Sequence, residues 1–169
     1  MVRAASSTTG TTAMHIAALD STQRAAVERL VQATGYFRDE EVAIAMEVLD
    51  AYFAAPDRDY SALAALDPHG SVAGYIVYGP TPATSGTFDF YWIAVAPEQQ
   101  RAGVGTLLLA EMERRLEGRA RLLLVEPSGQ PLYAPTRTFY ERRGYREVAR
   151  VPDFYADGDD RVIFARRVI

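Results

Sequence analysis

The chain has 169 residues, a formal net charge of -4 and no cysteine. That length suits one domain able to bury its own core, and the missing cysteines exclude disulfides, thiolate metal sites and cysteine nucleophiles. His15 and His69 are the sole imidazoles and lack HExxH-type spacing, so no metal is expected. The mild acidity argues against nucleic acid as a partner.

Residues 1–13, "MVRAASSTTGTTA", are small and polar, without the apolar core of roughly 7 to 15 residues that a secretory signal needs. A flexible tail is expected there, with the folded domain over 14–169 and Met14 as an alternative start. No run reaches the roughly 20 apolar residues of a membrane span, and the cytoplasm is the expected compartment.

"HIAALD" (15–20) reads as a short strand, after which Asp20 or Ser21 can cap a helix through 22–34. Val27, Leu30 and Val31 give that helix an apolar face, and Gly35 ends it. A second helix is predicted over 39–55, with acids in its first turn, Ile44, Val48 and Leu49 among its apolar positions, and Pro56 as its stop. "SALAALD", "SVAGYIVYG" and "GTFDFYWIAVAP" read as three antiparallel strands separated by the turn chemistry of "PHG" and "PTPATSG".

A helix over 103–117 follows, its Val104, Leu108, Met112 and Leu116 spaced by four and Gly118 as its stop. "RLLLVEP" (121–127) has the unbroken apolar character of a strand covered on both faces. "APTRTFYERRG" (134–144) reads as a short helix, and "YREVARV" and "RVIFARRVI" as two closing strands. The order describes a single mixed α/β domain without repeats or interior linkers.

The turn "EQQRAGVGT" between a strand and the third helix carries two glycines, one arginine and, from Gln99 to Thr106, no carboxylate. Free N–H groups and the positive end of a helix dipole suit an anion there, and a phosphate-bearing ligand is the natural occupant. A dinucleotide fingerprint requires a third glycine where Leu108 stands, and a Walker loop requires a lysine in a chain that has none. The glycines alone fit an ordinary tight turn better than a ligand site, because short glycine motifs recur without a ligand.

"IAVAPEQQRAGVGTLLL" resembles the acetyl-CoA-binding motif of the GNAT N-acetyltransferase family, Q/R-x-x-G-x-G/A, here Gln100, Gly103 and Gly105. "FYERRGY" (139–145), placed after "LLLVE", resembles the family's tyrosine helix, and the element order over 14–169 is similar as well. The resemblance implies a mostly antiparallel sheet with splayed central strands and helices on both faces. It implies that Gln100, Arg101, Ala102, Gly103, Val104, Gly105 and Thr106 hold the pyrophosphate of acetyl-CoA, with pantetheine along Ile93 and Val95. Tyr140 takes the place from which a tyrosine contacts the CoA sulfur and protonates it. Many members carry an asparagine shortly before that helix; here the region reads "PSGQPLYAPTRT".

Two carboxylates interrupt apolar strands and are candidate bases. Asp89 resembles the glutamate base of histone-type members, and Glu126 the strand-end glutamate of ribosomal-protein alanine acetyltransferases; both positions are also compatible with plain strand ends. By strict alternation Asp89, Tyr91, Ile93 and Val95 share a face opposite Phe90, Trp92 and Ala94, placing Tyr91 beside the acceptor.

"DFYADGDDR" (153–161) resembles a turn of N-terminal protein acetyltransferases, offering Tyr155 and Asp159 as acceptor contacts. Its four aspartates would attract an amine, or serve a solvated hairpin. The expected activity is direct acetyl transfer to a peptide, protein or small-molecule amine. An acyl-CoA sensor of the same fold is the alternative. A homodimer is compatible with the sequence.

Overall fold

The computed structural model describes residues 13–168; the tail expected over 1–13, apart from Ala13, lies outside the described residues. Seven strands and four helices follow in the order β1 (His15–Ala18), α1 (Arg24–Ala33), α2 (Asp39–Ala54), β2 (Ser61–Leu66), β3 (Val72–Pro80), β4 (Thr87–Val95), α3 (Val104–Arg115), β5 (Leu122–Val125), α4 (Ala134–Glu141), β6 (Arg146–Ala156) and β7 (Asp159–Arg167). They form one sheet of order β1-β2-β3-β4-β5-β7-β6, antiparallel except for the β4–β5 pair.

Local chemistry sets the boundaries. The Asp20 carboxylate accepts from the Thr22 N–H at 2.8 Å while Gln23 accepts from the Asp20 N–H at 2.9 Å, a reciprocal cap that starts the turn leading into α1. Glu41 accepts from the Arg38 N–H at 2.8 Å, and Asp39, Glu40 and Glu41 place negative charge at the positive end of α2. Val42, Ala45, Met46, Leu49 and Tyr52 form the buried stripe of α2. Ile44, expected among its apolar positions, lies off that stripe and is 49% exposed, because the face is set from Val42 in steps of three and four.

Two cores lie on opposite faces of the sheet. Under α1 and α2, Val27, Val31 and Leu49 meet Ala64, Tyr75 and Val77. Under α3 and α4, Leu108, Met112 and Tyr140 meet Ile76, Phe90 and Phe164. Every residue of β6 is exposed; this edge strand is interrupted by Pro152, which has no N–H to offer another chain.

Two irregularities position the site. Parallel pairing between β4 and β5 is confined to Thr87–Asp89 against Leu122–Leu124, after which β4 pairs with β3 alone as far as Val95. The strands therefore splay beyond Asp89. In β4, Trp92 lies opposite Val77 but Phe90 opposite Tyr78, so Tyr91 is an extra, bulged residue. The bulge corrects the alternation expected from sequence: Ile93 and Val95 pack on the α3 side together with Phe90, not on the face of Asp89 and Tyr91. A bulge adds one residue to a period of two, so every side chain beyond it changes face.

Candidate active site

At the C-terminal end of β4, a short turn over Pro97–Gln99 leads into α3. Arg101 (φ +65°) and Gly103 (φ +84°) both adopt left-handed backbone, turning successive N–H groups toward one side. Helical bonding begins with the Leu107 N–H on the Gly103 carbonyl at 3.0 Å, so the N–H groups of Val104, Gly105 and Thr106 have no partner among the described residues. The turn is exposed from Gln100 to Gly103, and the Gln100 amide donates to the Val95 carbonyl at 3.3 Å.

The two glycines differ. A Cβ at residue 103 would meet nothing within 4 Å, so Gly103 is required by its backbone angle and leaves open space for a ligand. A Cβ at residue 105 would sit 3.4 Å from the Phe139 ring, an ordinary contact, so Gly105 faces α4 with room for a methyl group. Arg143 ties the two helices: its guanidinium lies 3.6 Å from the Phe139 ring centroid and donates to Thr106 Oγ1.

The two candidate bases stand where β4 and β5 part, Asp89 at the last paired position of β4 and Glu126 just past the end of β5. Asp89 is half-buried and accepts from Thr81 Oγ1 at 2.7 Å. Burial pushes its carboxyl above the usual range, the Thr81 hydroxyl pulls the other way, and the nearby Glu126 adds to the rise. Tyr91 is 38% exposed, stacks edge-on against Tyr60 with centroids 5.5 Å apart, and is pushed up to about 12, by burial first and then by Asp89.

Glu126 stands differently. Arg161 donates to its Oε1, and the pair is half-buried on both sides. This hydrogen bond holds the Arg161 charge above its ordinary range. Asp89 has no such cation attached. The two carboxylates that sequence left equal thus differ in their partners: Glu126 is bonded to a guanidinium and Asp89 to a hydroxyl.

Tyr140 lies beneath this region, 3% exposed, with Phe90, Phe139, Tyr145 and Phe164 around it at centroid distances of 5.4 to 6.3 Å. Burial pushes its proton affinity well above that of a free phenol.

On the acceptor side, the strand expected over 145–151 continues to Ala156, leaving a tight turn before β7. Asp153 accepts from the Gly158 N–H at 2.7 Å, Asp160 from Arg150 at 3.1 Å and Asp159 from Ser128 Oγ at 2.5 Å. These aspartates thus serve the hairpin and its neighbour. Tyr155 of β6 reaches over to the end of β5 and donates to the Glu126 carbonyl at 3.0 Å.

Sequence reading missed three participants. Thr81 orients Asp89 from a loop, Arg161 neutralises Glu126, and Tyr133 reaches the connection between α1 and α2, where it donates to the Tyr36 carbonyl at 3.1 Å. Tyr133 lies in the turn whose missing asparagine was the available signal; nothing in the local pattern marks Tyr36 or Thr81.

The Acetyltransferase (GNAT) domain model matches residues 58–147. An acetyltransferase structure assigned to the GNAT family, from Desulfovibrio desulfuricans, superposes with a TM-score of 0.88 and 41% identity, covering 93% of this chain and 100% of that one. The ribosomal-protein-S18-alanine N-acetyltransferase from Escherichia coli has a TM-score of 0.74 at 21% identity, over 92% of this chain and 94% of its own. An aminoglycoside 6'-N-acetyltransferase complexed with coenzyme A has a TM-score of 0.73 at 17% identity, over 92% and 98%, a likeness of fold. A search of curated sequences finds no match.

Proposed function

The chain belongs to the GNAT acetyltransferase family, and from that premise we propose that it transfers an acetyl group from acetyl-CoA to a primary amine within a ternary complex, with Asp89 as the base. The observation that carries this reading is the pairing of an anion-ready turn at 100–106 with a half-buried carboxylate that is bonded to Thr81 and tied to no cation in a salt bridge among the described residues, beside the splay of the sheet.

The residues fit the cofactor. The unpartnered N–H groups of Val104, Gly105 and Thr106, with the Arg101 charge nearby, suit a pyrophosphate. Beyond Asp89 the β4 backbone pairs only with β3, leaving an edge on which the amides of an extended pantetheine can bond near Ile93 and Val95. Acetyl-CoA supplies the acetyl group as a thioester, so transfer makes an amide and leaves a thiol.

An incoming ammonium group must lose a proton before it can attack. Asp89, whose proton affinity is raised by burial, accepts it, and Thr81 holds the carboxylate in place. Tyr140, kept neutral by its surroundings, donates a proton to the departing sulfur. Tyr91 and Tyr155 flank the acceptor, while Glu126 with Arg161 and Asp159 with Ser128 shape the wall. The E. coli relative is named for acting on a protein alanine and another for acting on an aminoglycoside; both acceptors are amines.

The test is CoA-thiol release from acetyl-CoA against a panel of peptides, amino acids, polyamines and aminoglycosides, with products weighed by mass spectrometry. Amine-dependent release with a gain of one acetyl group supports transfer. Binding of acetyl-CoA without product for any amine would favour a sensor domain, and no binding would sink both readings.

A further inference from the structure

We propose that Tyr36 and Tyr133 form a clasp across the acceptor end of the cleft, and that this clasp selects a slender small-molecule amine over a protein N-terminus. The selectivity half rests on the acetyl-transfer reading; the clasp itself does not.

The two halves of the molecule meet at few places on this side. Helices α1 and α2 rest on β2, β3 and β4, while β5, β7, β6 and α4 lie beyond the splay. The connection between α1 and α2 is tied to the far half through Tyr36. Tyr133 donates from its hydroxyl to the Tyr36 carbonyl at 3.1 Å across 97 residues of sequence, and the two rings meet edge-on with centroids 5.7 Å apart. Both side chains are half-buried.

The far anchor is stiff. Arg137 on α4 donates to the carbonyls of Ser128 at 2.7 Å and Gln130 at 2.9 Å, and the Tyr133 N–H donates to the Gln130 carbonyl at 3.0 Å. Ser128 is bonded in turn to Asp159 of the β6–β7 hairpin. A continuous run of hydrogen bonds therefore joins the hairpin, the turn before α4 and the connection between α1 and α2. This end of the cleft is also the end of the candidate acceptor residues: Tyr155, on the same hairpin, bonds the Glu126 carbonyl.

The space between the hairpin and the α1–α2 connection is the width that an acceptor carrying its own main chain has to pass if it enters at this end. With Tyr133 bridged to Tyr36 that space is spanned by side chain. A free alkylamine, which needs only the width of one methylene chain, can reach Asp89 beside the clasp. Tyr133 is thus a positioning residue: it acts by holding a segment that limits the acceptor, and touches no reacting atom.

The test has two readings from one pair of variants. Hydrogen exchange of the amides at 34–38 in the unliganded protein should quicken about tenfold in Tyr133→Phe, the effect of losing one hydrogen bond of ordinary net strength. Unchanged exchange overturns the clasp, and the near-isosteric replacement keeps the fold. In turnover, a short alkylamine and a hexapeptide with a free α-amine are compared in wild type and Tyr133→Ala.

The variant should shift the ratio of kcat/KM toward the peptide by about tenfold or more, through KM, with the KM for acetyl-CoA and kcat for the alkylamine unchanged. An unchanged ratio, or a wild type that already prefers the peptide, overturns the selectivity. If neither protein acetylates any amine, the selectivity falls together with the transfer reading, while exchange still decides the clasp.

Discussion

The two walls of the proposed cleft are built from different materials. The turn at 100–106 presents main-chain N–H groups, and its shape depends on two left-handed residues. The proposed acceptor wall is made of side chains drawn from four separated places: Thr81, Asp89, Glu126 and Arg161. A backbone site tolerates changes of side chain provided the angles survive. A side-chain site can be retuned one residue at a time, as the opposed surroundings of Asp89 and Glu126 illustrate.

The largest expected effect tests the backbone wall. Gly103→Glu forces a side chain onto left-handed backbone and puts negative charge where phosphate should bind, so acetyl-CoA affinity should fall by more than about 100-fold by calorimetry. Retained affinity in a folded variant would break the assignment of this turn.

Next come the two carboxylates. Asp89→Asn should lower kcat by about 100- to 10,000-fold with little change in acetyl-CoA affinity. The same substitution should raise thermal stability at neutral pH. Because burial raises the folded-state proton affinity of Asp89, its contribution is fully present below the ordinary aspartate range and is lost as pH rises through the raised value. The Tm gain should therefore vanish below about pH 4, where wild type also carries a protonated side chain. Equal turnover in wild type and variant across pH would remove Asp89 from the chemistry.

Glu126→Gln should lower turnover by less than about tenfold, because the carboxylate is already held by Arg161, and should cost a few degrees of Tm by leaving that guanidinium without a counter-charge. A larger kinetic loss than for Asp89→Asn would reverse the roles of the two residues.

The smallest effect lies away from the cleft. The Tyr75 hydroxyl is sealed under α1 and α2 with no hydrogen-bond partner. Tyr75→Phe should leave activity intact and change stability by about 1 kcal/mol at most, in the stabilising direction, measured by denaturant unfolding. A clear destabilisation would point to an unseen partner for that hydroxyl.

Much of this was legible in the chain. The spacing of Val104, Leu108, Met112 and Leu116 is the spacing of the buried face of α3, and each of the four is at most 1% exposed. Gly103 and Gly105 marked the turn correctly, although only Gly103 is required by its angle, and the room for a methyl group at Gly105 against Phe139 appears only when α4 is in place. The reading of β4 failed past Tyr91 because a bulge arises from pairing with β3 and leaves no mark on local hydrophobic alternation.

Sequence by itself determined the elements, their order and the turn at 100–106, since these depend on periodicity, caps and the conformational range of glycine, all of them local. Tertiary structure alone decided which carboxylate is paired with a cation and which two connections Tyr133 joins. Those answers depend on Arg161 lying beside Glu126 and Tyr133 beside Tyr36, contacts across 35 and 97 residues, and electrostatic environment belongs to neighbours in space.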